Sequence, residues 1–424
     1  MKLSLKNIGK IKEATVEING ITVIAGENNT GKSTVGKTLY SVFNSFYDIE
    51  NQIRKERIQN VVNLLDMMYR NSTNRLTIRV DTEDIAENII DNIDRYLADT
   101  EALKNEILGP VLQYDENFEK YLENENINEA VKRIVEILSV SSDDIFKTVL
   151  NKKLDSEFNG QINNIFSEAA GEIKLQIKDC IVSINVLKNI VSEIENRVDL
   201  KTEAIYIDDP FVLDEARIMP YIMMRFKNYS DHRNHLQSKL FISKNEPNVI
   251  NEIIATNKLD KIYDKINLIC SGDVVSNRRT GFGYRRINTE KVLDIRNLSS
   301  GLKTFVILKT LLINGTLEFN GTIILDEPEI HLHPEWQLLF AELIVLIQKE
   351  FGMHVLLNTH SPYFLNAVEV YAAKYEIADK CKYYLATVKE DYSFIEDVSE
   401  NIEAIYSKLA RPLQDLENER YSDD

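Results

Sequence analysis

The run Gly26-Glu27-Asn28-Asn29-Thr30-Gly31-Lys32-Ser33 sets two glycines, a lysine and a hydroxyl at the spacing G-x-x-x-x-G-K-[ST]. Glycines so placed let backbone N–H groups curl around phosphate oxygens, and a helix starting near Lys32 points its positive end at the same anion. The expected phosphate contacts are Gly26, Asn28, Asn29, Thr30, Gly31, Lys32, Ser33 and Thr34. Lys32 would reach the β- and γ-phosphates. Ser33 would place its hydroxyl on Mg²⁺, a hard cation that takes a shell of oxygens including substrate phosphates. The chain has only 15 glycines in 424 residues, so a plain surface turn is a poor explanation for this spacing.

A second place with chemistry is Thr322-Ile-Ile-Leu-Asp326-Glu327-Pro328, an apolar stretch ending in adjacent carboxylates. Asp326 is expected to hold Mg²⁺ directly or through water. Glu327 is expected to orient an attacking water and accept its proton, work suited to a carboxylate within hydrogen-bond reach. A third is Leu356-Leu357-Asn358-Thr359-His360-Ser361-Pro362, where an imidazole follows another apolar stretch and Ser-Pro enforces an extended turn.

The elements that would carry these groups can be read from periodicity. Leu3 and Leu5, Val16 and Ile18, then Ile21, Val23 and Ile24 alternate as strands do, and the last of these runs into the glycine loop. Val35, Leu39, Val42 and Phe46 then predict a helix from Lys32 to about Phe46 with one buried stripe. Further strands are expected at 172–177, 181–186, 204–207, 322–325 and 354–357, with helices between the later ones. Strands alternating with helices late in a chain indicate a largely parallel sheet covered on both faces, which brings strand ends and their ligands to one edge.

With these motifs in order, a family resemblance becomes explicit. Asn297-Leu298-Ser299-Ser300-Gly301-Leu302-Lys303, followed by the stripe Phe305, Leu308, Leu311 and Leu312, resembles the ABC signature L-S-G-G-Q. It departs in having Ser300 for the first glycine and Leu302 for glutamine. Alone it would read as a helix cap; its place about 25 residues before the carboxylate pair is what raises it. The resemblance implies that Ser299 and Gly301 act in trans on the γ-phosphate held by a second copy, and that His360 is the switch histidine sensing that phosphate. A glutamine loop contacting Mg²⁺ is also implied, with Gln161 the candidate. The histidines of Glu329-Ile-His331-Leu-His333-Pro334 resemble a run of SMC-like and OLD-family ATPases that forms a loop exchanged across the dimer, and are read so rather than as a metal site. Asp208 and Asp209 end a strand and are read either as lining the same cleft or as a plain turn.

The resemblance is to SMC, RecF and OLD-related ABC-class ATPases, and most to the stand-alone ATPase subunits of bacterial phage-defence systems of the Septu or PARIS type. It implies an α/β fold: an ABC-type ATPase head with a mixed, largely parallel core sheet, an antiparallel β subdomain and a helical insertion. The expected division is an N-terminal lobe at 1–49, the insertion at 50–152, return strands at 153–211, a helical and basic connecting segment at 212–296, and a C-terminal lobe at 297–424. ATP and Mg²⁺ are the implied cofactors. The implied partners are a second copy, in an ATP-sandwiched dimer or higher oligomer, and a separate effector protein, a nuclease or toxin. About 60 residues follow His360, too few for the Toprim nuclease of OLD enzymes.

Composition narrows the alternatives. A net charge of -17 makes the chain as a whole repel DNA and anionic membranes. Residues 81–130 hold fifteen acidic against three basic groups, a net of -12, suiting a solvated helical surface or a docking face for a basic partner. The opposite occurs at 278–296, where Arg278, Arg279, Arg285, Arg286, Lys291 and Arg296 face Glu290 and Asp294, with Phe282 and Tyr284 interleaved. Such a stretch either binds DNA by phosphate contact and base stacking or docks a protein. Cys180, Cys270 and Cys381 match no metal or disulfide spacing. No signal segment and no run of apolar residues long enough for a membrane span is seen, so a cytoplasmic protein is expected. A defence ATPase governing an effector is favoured over a DNA-repair or chromosome-maintenance ATPase that clamps DNA. A transporter energy subunit is disfavoured by the insertion and by the distance from glycine loop to signature.

Overall fold

The computed structural model describes residues 1–72, 80–112, 124–215, 231–240, 260–277, 281–287 and 289–421. Arg278, Arg279 and much of the expected helical and basic connecting segment at 212–296 lie outside them. The chain forms two compact units, one of residues 1–47 and 150–424, the other of 48–149.

The larger unit is built on one eleven-stranded sheet of order β6-β5-β4-β1-β2-β14-β13-β3-β12-β11-β7. Its strands are β1 (Lys2–Ile8), β2 (Ile11–Glu17), β3 (Ile21–Gly26), β4 (Gly171–Ile177), β5 (Cys180–Leu187), β6 (Ile190–Glu195), β7 (Ala204–Ile207), β11 (Thr322–Asp326), β12 (His354–Thr359), β13 (Cys381–Lys389) and β14 (Tyr392–Asp397). From β13 to β7 every neighbour is parallel. There β3, β7 and β11 are buried at every position, as their largely apolar sequences allow for strands covered on both faces. From β2 to β6 every neighbour is antiparallel, and β1 buries only Leu3, Leu5 and Ile8 while its alternate residues stay wetter. The hairpin β13–β14, turning at Glu390 with φ 57°, lies between these halves, pairing parallel with β3 on one side and β2 on the other. The antiparallel strands thus extend the core sheet itself.

A separate three-stranded antiparallel sheet, β8 (Gly272–Asn277), β9 (Gly281–Arg286) and β10 (Val292–Asp294), holds the described part of the basic stretch.

Helix α1 (Lys32–Ser45) follows β3 and buries Val35, Leu39 and Val42. Helix α7 (Ser142–Phe158) and helix α8 (His232–Leu240) bring further side chains to the larger unit. Helix α9 (Ser300–Ile313) is buried almost all round, including the expected stripe Phe305, Leu308, Leu311 and Leu312. Helix α10 (Pro334–Phe351) starts with Pro334 behind an N-cap at His333 and ends at left-handed Gly352. Ser361 caps helix α11 (Pro362–Lys374), accepting from the Phe364 N–H at 3.1 Å. Helices α12 (Glu403–Leu409) and α13 (Arg411–Tyr421) end the chain.

The smaller unit is helical, with α2 (Ile49–Ser72), α3 (Thr82–Asp91), α4 (Ile93–Ala98), α5 (Thr100–Leu112), α6 (Asn124–Ser139) and the start of α7. It has its own core of Val61, Leu65, Ile89, Leu103, Ile107 and Ile134. No helix among the described residues is long and apolar enough to cross a membrane.

Candidate functional site

Three adjacent parallel strands deliver the chemistry to one edge. In register, Ala25 of β3 pairs with Thr359 of β12, and Asn358 of β12 pairs with Asp326 of β11. The glycine loop, the two carboxylates and the histidine therefore leave the sheet side by side, although the loop lies some 300 residues from the other two in sequence.

The loop's shape depends on its glycines. Gly31 has φ 86° and Asn29 φ 63°, both left-handed, and a Cβ at Gly26 would stand 2.6 Å from the Ala386 carbonyl oxygen. Thr30 is buried and donates to the Glu27 carbonyl at 2.8 Å, while Asn28, Asn29 and Ser33 are exposed and Thr34 is half-buried. Lys10 donates to the Asn29 carbonyl at 3.1 Å. The first turn of α1 carries no acidic residue, so its positive end is uncontested. Lys32 is 4% exposed, and its Nζ donates to the carbonyls of Gly26 at 3.0 Å and Glu27 at 2.8 Å and pairs with Glu327 Oε1 at 3.2 Å.

Asp326 is buried, with Oδ2 accepting from the Tyr206 hydroxyl at 2.7 Å and Oδ1 from Asn358 Nδ2 at 2.9 Å. Glu327 has φ 50°, a left-handed conformation uncommon for a side chain other than glycine, pinned by its N–H donating to the Asn358 carbonyl at 2.9 Å. That turn sends its carboxylate to Lys32 and to His360, whose Nδ1 lies 3.4 Å away. Behind them Glu329 is buried and accepts from the Thr359 hydroxyl and, at 3.3 Å, from the His360 N–H. Burial pushes its carboxyl up. The oxygen donors needed for Mg²⁺ are present here, the exposed Ser33 hydroxyl in the loop after β3 and the Asp326 carboxylate at the end of β11, two strands across the same sheet edge, an all-oxygen set that fits this ion.

Ser299 and Gly301 are not drawn to the glycine loop. Ser299 is the exposed N-cap of α9, and a Cβ on Gly301 would meet the His331 carbonyl at 2.9 Å and the Trp336 ring at 3.1 Å. Thr304 and Leu308, further along α9, share one cleft with Asp326, Glu327, Ile330 and His331. Gln161 is exposed just after α7; its neighbour Ile162 accepts from the Gly9 N–H at 2.8 Å, and a Cβ on Gly9 would lie 2.9 Å from Thr34 Cγ2. Asp209 caps the short turn Pro210–Leu213. Both aspartates line the cleft shared by Asp326 and Glu327, as the first of the two readings expects, and Asp208 is also held there by Arg233 and His232. His333 caps α10, and His331 packs edge-on against Phe211 at 5.3 Å.

In the basic stretch, Tyr284 is buried, its hydroxyl accepting from the Gly272 N–H at 2.7 Å, and Phe282 packs against the main core. Arg296 is bound to Asp294, while Arg285, Arg286 and Lys291 are exposed. Of the two aromatics that the DNA-binding reading would use for stacking, Tyr284 is buried and Phe282 is half-buried against the core.

Spacing did not reveal Tyr206, Glu157 and His232. Asn358 and Glu329 lie inside the motifs without a type-specific signal for their roles.

A family model described as "AAA domain, putative AbiEii toxin, Type IV TA system" matches residues 21–366. Among solved structures the chain is similar to an SMC head bound to the C-winged helix domain of ScpA, at 13% identity and TM-score 0.45 over 95% of this chain and 98% of that one. It is also similar to the SMC head domain from Thermotoga maritima, at 13% and 0.36 over 94% and 98%. A third is the Smc head domain with an extended coiled coil bound to the C-terminal domain of ScpA derived from Pyrococcus furiosus, at 12% and 0.35 over 99% and 98%. No curated protein matches.

Proposed function

Since the chain belongs to this AAA domain family, we propose that it is an ATPase that works as a switch, binding ATP between two copies of itself and governing a separate effector protein. The observation that carries the ATPase reading is the convergence of Lys32, Asp326, Glu327 and His360 at the ends of adjacent parallel strands. Lys32 would leave Glu327 and its carbonyl partners for the β- and γ-phosphates, and the backbone of 26–34 would wrap them. Ser33 and Asp326 would hold Mg²⁺, which when bound neutralises phosphate charge. Glu327, released from Lys32, would orient a water and take its proton, and His360 beside it would sense the γ-phosphate.

The composite site rests on the signature resemblance. Ser299 is exposed at the N-terminus of α9 with no side-chain cap bond, so its hydroxyl is open to a partner's nucleotide. Gln161 is the proposed glutamine-loop contact, supported by the packing of Gly9 between Ile162 and Thr34. The defence role and the nuclease or toxin effector rest on motif style. Wild type and Glu327→Gln purified with and without ATP, with mass measured in solution, test the switch, and capture from the native host tests the effector. A monomer at saturating ATP in both proteins would refute the composite site.

A further inference from the structure

Asp326 is held by a side chain that no motif contains. Tyr206, in β7, is fully buried and gives its hydroxyl to Asp326 Oδ2 at 2.7 Å. Its ring stacks on the imidazole of His232 with centroids 4.3 Å apart and planes at 23°. That imidazole is itself fixed from both ends. Nδ1 lies 2.7 Å from Glu157 Oε2, and Nε2 lies 3.1 Å from Asp208 Oδ2, an ion pair rather than an aligned hydrogen bond. The His232 N–H also donates to Glu157 Oε1, and Arg233 forks onto Asp208. Groups from α7, the end of β7 and α8 are thus tied together behind one tyrosine ring.

A buried phenol next to a carboxylate limits how that carboxylate can turn. Groups that hydrogen-bond a metal ligand set its orientation and basicity, and losing one typically costs 10–100-fold in metal affinity. On the reading of Asp326 as the Mg²⁺ carboxylate, on which this inference rests, we propose that Tyr206 is a positioning residue for Asp326, and that the Glu157–His232–Asp208 bridge sets the orientation of Tyr206.

The test uses the full chain and a readout other than turnover. ATP affinity is titrated in EDTA and across a Mg²⁺ series for wild type, Tyr206→Phe, His232→Asn, the double variant and Asp326→Asn, with a melting curve for each. Tyr206→Phe is expected to raise the Mg²⁺ concentration needed for tight binding by about 10–100-fold, with EDTA affinity and melting close to wild type. His232→Asn should shift it less, and the double variant no further than Tyr206→Phe, because both act through one hydroxyl. An unchanged Mg²⁺ requirement in Tyr206→Phe while Asp326→Asn shifts it would overturn the positioning role. Additive shifts in the double variant would overturn the bridge's action through Tyr206. An unchanged requirement in Asp326→Asn would overturn the reading of Asp326, and this inference with it.

Discussion

The ammonium of Lys32 and the carboxylate of Glu327 form a salt bridge at 3.2 Å, although one belongs to the glycine loop and the other to the end of β11. Lys32 is nearly buried, so its charge must be matched wherever it goes. Glu327 supplies the match here, and a triphosphate would compete for the same nitrogen. The residue proposed to bind phosphate thus holds the residue proposed to activate water.

Glu327→Gln separates the two tasks. It is expected to slow hydrolysis by about 10²–10⁴-fold, the usual cost of losing a general base. ATP binding should be retained or tightened, because Gln competes less for Lys32. Turnover measured beside equilibrium nucleotide binding checks this, and turnover within a factor of two of wild type would remove Glu327 from its role.

Lys32→Ala and Ser299→Arg should fail differently. The first is expected to abolish nucleotide binding, since Lys32 serves its own chain's loop. The second should keep monomer binding and lose ATP-driven association, since Ser299 lies exposed at the start of α9. Mixing the two variants should restore one composite site, seen as partial turnover; none at any mixing ratio would speak against action in trans.

His232 gives a pH dependence of stability. Burial opposes its charge, but its contacts with the carboxylates of Asp208 and Glu157 outweigh burial and push the imidazole up to about 9. Asp208 also faces Arg233, and despite burial these partners hold it down to about 2. A raised histidine contributes stability that is complete below its unfolded value near 6.5 and is lost as pH rises through about 9. The melting advantage of wild type over His232→Asn should therefore shrink between about pH 6.5 and 9. A constant difference across that window would show that His232 is not charged in the fold.

Replacing Arg285 and Arg286 with alanine tests direct DNA clamping. Two phosphate-contacting arginines would each reduce the salt slope of DNA affinity by about one. The expected outcome is an unchanged slope with ATP bound, because Tyr284 is buried and Phe282 packs partly against the core. A slope reduced by about two would restore DNA as a partner.

Local sequence determined the glycine loop on its strand and helix, the buried strand ending at Asp326 and Glu327, and the turn at His360. Each is written in one short run, because a parallel strand covered on both faces must be apolar throughout and a phosphate loop must follow it with glycine. The tertiary structure decided which runs become neighbours. The β13–β14 hairpin at Glu390 is a local turn, but its insertion between β2 and β3 depends on pairing partners far away in the chain. Tyr206, His232 and Glu157 carry no local signal for the same reason. A buried polar group takes whichever partner the packed chain brings within reach, and Tyr206 meets Asp326 across 120 residues of sequence.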